Sequence, residues 1–71
     1  MNRFLRYSQQ HGRKIRAMLM WEGKLAQKTV LVVSYNEDTV TLLVGQRKQP
    51  VTLPLSDLYS CDYARGDHGE E

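Results

Sequence analysis

Few residues in this chain could do covalent chemistry. Its only cysteine, Cys61, stands next to Asp62, and its two histidines, His11 and His68, lie near opposite ends of the 71 residues. A hydrolytic site needs a nucleophile, a base and a group that orients the base. Neighbours on a strand point to opposite faces, so Cys61 and Asp62 do not combine into such a set. Cys61 reads instead as a small buried hydrophobe. Cys61, His11 and His68 also lack the spacing of a zinc site. Asp62, Asp67, His68, Glu70 and Glu71 offer ligands, but from a glycine-punctuated segment that is costly to order. The expectation is a non-enzyme with no metal and no cofactor.

The cations are more informative. Residues 1–35 carry seven Lys/Arg against the single Glu22, whereas residues 36–71 carry three Lys/Arg against seven Asp/Glu. A basic stretch and an acidic one suit capture of an anion, or contact between copies of the chain. Arg13, Lys14, Arg16, Arg47 and Lys48 form the candidate anion-binding set, with Tyr35 as a platform on which a base could stack. Single-stranded nucleic acid is the leading partner in this reading. The competing class is self-association, because Met18, Met20 and the Val30–Val33 run are more apolar than a solvent-facing strand usually is.

These residues must be positioned by short elements. Residues 2–11 predict one helix with Phe4, Leu5 and Ser8 on one side, stopped by Gly12, which enters the left-handed region at no steric cost. Ile15, Ala17, Leu19 and Trp21 alternate with Arg16, Met18 and Met20, the period of a half-buried strand. A reversal at Glu22-Gly23-Lys24 leads to a long strand, Leu25–Tyr35. Asn36-Glu37-Asp38 turns the chain into a third strand, Thr39–Gly45, with Val40, Leu42 and Val44 inward. Gly45–Gln49 makes a basic hairpin tip. A fourth strand carries Val51, Leu53 and Leu55, and Pro50 and Pro54 confine it to an edge. Leu58–Tyr63 is the fifth strand. The fold class is mainly β: a short N-terminal helix, then a five-stranded, strongly curved antiparallel small barrel. Residues 1–63 form one domain and 64–71 an acidic flexible tail.

At this length a lone core is marginal, and one cysteine allows no intrachain disulfide. Burial gained between copies is the expected remedy, so a homo-oligomer is predicted. A free thiol and no secretory signal point to the cytoplasm. Ala17–Trp21, the longest apolar run of the basic N-terminal segment, is too short to span a bilayer, so no membrane partner is expected.

The order helix then five strands resembles the Sm-like small barrels. More closely, it is similar to the barrel core of the WYL domain family, bacterial modules often attached to transcription regulators. Two stretches carry the likeness: Ile15–Tyr35, and Thr52-Leu53-Pro54-Leu55-Ser56-Asp57-Leu58-Tyr59-Ser60 with its hydrophobic, acidic, hydrophobic pattern. The resemblance implies a regulatory or ligand-binding role, with a small anionic ligand as a further alternative, and carries over no site residue.

Overall fold

The computed structural model describes residues 2–69. Helix α1 spans Asn2–His11 and is followed by strands β1 (Ile15–Trp21), β2 (Lys24–Tyr35), β3 (Thr39–Val44), β4 (Val51–Pro54) and β5 (Leu58–Tyr63). They form one antiparallel sheet in the order β4-β3-β2-β1-β5. The sheet does not close: β4 and β5 are its two edges, with no ladder between them.

Local chemistry sets each boundary. Gly12 takes φ +62°, and Arg13 N–H returns to Ser8 C=O at 3.2 Å, the bond that closes a helix C-terminus when glycine follows it. Glu22 (φ 52°) and Gly23 (φ +81°) are both left-handed between the paired residues Trp21 and Lys24. Two such residues match the twist of a two-residue hairpin. At the next turn Asn36 Oδ1 accepts from Asp38 N–H at 2.7 Å and Thr39 N–H at 2.8 Å. The fourth strand is shorter than the alternation of Val51, Leu53 and Leu55 predicts. It ends at Pro54, and Leu55–Asp57 form a single 3₁₀ turn that swings the chain into β5.

The core lies on one face of the sheet, where Ile15, Ala17 and Leu19 meet Val30, Val32, Val40, Leu42, Val44 and Leu58. Helix α1 covers it with Leu5, Tyr7 and Ser8. Its seat is fixed by an irregularity in β2. Val32 pairs with Leu42 and Ser34 with Thr41, so Val33 is an extra residue that bulges out of the ladder. The buried Ser8 Oγ accepts Val32 N–H at 2.9 Å, and Gln9 Nε2 donates to Val33 C=O at 3.2 Å. The helix thus satisfies backbone groups beside the bulge. A second irregularity, between Met18 and Leu19 on β1, leaves Tyr59 of β5 without a partner.

Candidate anion-binding interface

Arg13 and Lys14 occupy the two-residue step between Gly12 and β1. Facing them is the chain that leaves β5, which turns at once: Asp67 N–H bonds to Ala64 C=O at 2.9 Å, with Gly66 at φ +84° inside the turn. Asp67 then locks onto α1. Tyr7 Oη lies 2.8 Å from each Asp67 carboxylate oxygen, and Gly69 N–H donates to Oδ1 at 2.9 Å. Gly69 is pressed onto the Tyr63 ring so closely that a Cβ there would stand 2.5 Å from ring atoms. Phe4 and Tyr7 meet Tyr63 edge-on, with centroids 4.9 and 5.2 Å away. Contacts of this kind contribute beyond their buried area. The first residues of the expected flexible tail are therefore a hydrogen-bonded clasp, while Glu70 and Glu71 lie outside the described residues.

The clasp shapes a concavity of about 390 Å³ lined by Arg13, Lys14, Ala64, Arg65, Gly66, Asp67 and His68. Among the described residues its one carboxylate, Asp67, is already committed. The Gly69 N–H, then the Tyr7 hydroxyl, hold Asp67 below the ordinary 3.8, with Arg13 and His68 helping and burial opposing. Burial first, then the bond to Asp67, pushes the Tyr7 phenol above its ordinary 10.0. Among the described residues, Arg13, Lys14 and Arg65 have no carboxylate within ion-pairing distance.

The other predicted site residues are placed differently. Arg16, on the outer face of β1, donates from Nε to Tyr63 C=O at 2.8 Å and pairs with Asp62 at 3.4 Å. Arg47 and Lys48 lie in the β3–β4 connection, where Arg47 sits 5.1 Å over the Trp21 ring and 3.7 Å from Glu22. Trp21 ends β1, so that strand's length, about 20 Å, separates this group from Arg13 and Lys14. Tyr35 closes β2 opposite Val40 and shares a concavity with Asn2, Asn36, Glu37 and Leu55, whose lining includes none of these cations. Arg65 was not among the residues picked out from sequence, because the segment it begins reads there as tail. The pair of glycines flanking Asp67 was the only local sign of a turn.

Cys61 faces the core side opposite Ala17, and burial pushes its thiol up to about 11. Its neighbour Asp62 points outward to Arg16. No group of three metal-ligating side chains gathers among the described residues, and no helix there is long and apolar enough to cross a membrane. No family model, no curated protein and no solved structure matches this chain.

Proposed function

We propose that this chain is a non-enzymatic binding module that captures an anionic partner, single-stranded nucleic acid foremost, at the corner where β1 begins. The supporting observation is the contrast among its cations. Arg16 and Arg47 are ion-paired with Asp62 and Glu22, whereas Arg13, Lys14 and Arg65 surround one concavity and, among the described residues, make no ion pair, its Asp67 being held by Tyr7 and Gly69. Phosphates reward such groups by releasing counterions. In the same reading the sheet is a small Sm-like barrel left open along one side. Support comes from the groove between edge strand β4 and the end of β1, lined by Met20, Trp21, Val51 and Leu53.

Titrating labelled single-stranded RNA and DNA at low and near-physiological salt tests the proposal. Three phosphate contacts at this corner contribute about −2 to the slope of log affinity against log salt, at about −0.7 per contact. Joint replacement of Arg13 and Lys14 by alanine should flatten that slope by about 1.4, and Arg65→Ala by about 0.7. Absence of binding even at low salt sinks the reading.

A second reading, self-association without nucleic acid, is favoured by a different observation. Leu25, Val33 and Tyr59 are 51%, 43% and 56% exposed, and the β5 edge is open and, unlike β4, holds no proline. Open edges and apolar surface invite pairing with another copy.

A further inference from the structure

Trp21 is the chain's single tryptophan, and it lies in a groove distinct from the Arg13–Lys14–Arg65 corner. That groove, about 740 Å³, runs between the end of β1 and the edge strand β4, with Met20, Val51 and Leu53 as its apolar walls. The volume falls within the range of small-molecule sites, about 300–1,000 Å³. Arg47 covers the indole with its guanidinium 5.1 Å from the ring centroid. What holds it there is weak: the Arg47–Glu22 pair spans 3.7 Å between side chains 60% and 72% exposed. Arg47 also lines an adjoining concavity of about 330 Å³ with Lys48, Gln49, Pro50 and Val51.

We propose that this groove is a nucleobase-stacking site, in which a base of a bound single strand takes Arg47's place on Trp21. The freed Arg47, with Lys48 beside it, then contacts the adjoining phosphate. The inference rests on the nucleic-acid reading above and adds a second point of contact to it. An aromatic face beside two cations matches the way single strands are held without sequence preference, by base stacking and backbone charge together. An extended protein segment fits less well. Such a segment would add to the edge of β4, yet Pro50 and Pro54 bracket that strand and β3 takes its other side, which leaves at most two of Val51, Thr52 and Leu53 with a backbone donor facing outward. Glu22 and Asp57, which also line the groove, give acceptors for base N–H groups once Arg47 has moved.

Because Trp21 is the only indole, its emission reads this groove alone. The experiment titrates the protein at low salt with a short end-labelled oligothymidylate and with an abasic strand of equal length. Label anisotropy follows occupancy while Trp21 fluorescence is recorded. Stacking predicts that the base-bearing strand quenches Trp21 in step with occupancy and that the abasic strand binds without quenching. Trp21→Ala should weaken oligothymidylate about 5- to 150-fold, the range for loss of one stacked base, with Trp21→Phe closer to wild type. Arg47→Ala keeps the fluorophore and should flatten the salt slope by about 0.7. Occupancy without quenching, or equal quenching by both strands, overturns the stacking site while leaving anion capture standing. No occupancy by either strand removes both.

Discussion

Asp67 is a surface carboxylate that behaves as a structural one, because a phenol and a backbone amide both donate to it. Its pKa is lowered on folding, so the stability it contributes is full above the ordinary 3.8 and is lost as pH falls below that through the folded value. Tyr7 works in the other direction. Its pKa is raised, so its contribution is full below 10.0 and is lost as pH rises through the folded value. The wild type should therefore melt above D67N at neutral pH. That gap should close as the pH is lowered past 3.8, when melting curves of both proteins are followed by circular dichroism. A gap that stays constant down to strongly acidic pH would mean that Asp67 acts through something other than its charge. None of this was legible in sequence. Asp67 is sixty residues from Tyr7, and a lone acid between glycines reads as solvated tail.

Among the elements, the helix and the strands of the meander were readable because their signals are local. Alternation gives β1 and β3 their inward faces, and glycine marks both the end of α1 and the first hairpin. The bulge in β2 was not read, although the sequence carries a trace of it. Inward positions run Val30, Val32 and then Tyr35, a break in the period of two that the continuous apolar run disguises. That bulge gives the helix its docking point through Ser8. Ser8→Ala leaves Val32 N–H buried without an acceptor, which costs about 1–3 kcal/mol. Gln9→Ala removes an exposed bond and should stay within about 0.5 kcal/mol. Denaturant midpoints for the two variants decide the matter, and equal values would show that the helix is held by apolar packing alone.

At the scale of the whole molecule, the candidate site was half legible. Composition pointed to a basic face, but convergence depends on strand register, which one sequence does not supply. The structure divides the five expected cations between the two ends of β1, places Tyr35 elsewhere and brings in Arg65. Register also exposes an apolar outer face. Met20 pairs with the half-exposed Leu25 in a part of β2 that runs beyond β3, because Gly45 N–H closes the β3 side at Thr29 C=O. In the self-association reading, light scattering gives a multiple of the monomer mass. Leu25→Glu then lowers it toward the monomer while leaving the far-ultraviolet spectrum unchanged. An unaltered mass in that variant would remove this face from the interface, and a monomeric wild type would remove the reading.

The clasp between Tyr7 and Asp67 also bears on the order in which the chain assembles. β1 through β4 form a run of hairpins, each strand pairing with its neighbour in sequence, whereas β5 must return to β1 and the clasp joins residues sixty apart. Loop-closure entropy has to be met before such distant contacts reward it, so the meander is expected to zip up first and the clasp to shut last. Arg13 and Lys14 come from one side of that long loop and Arg65 from the other. The cationic corner comes into being only at the final closure, and an anion seated there holds that closure shut.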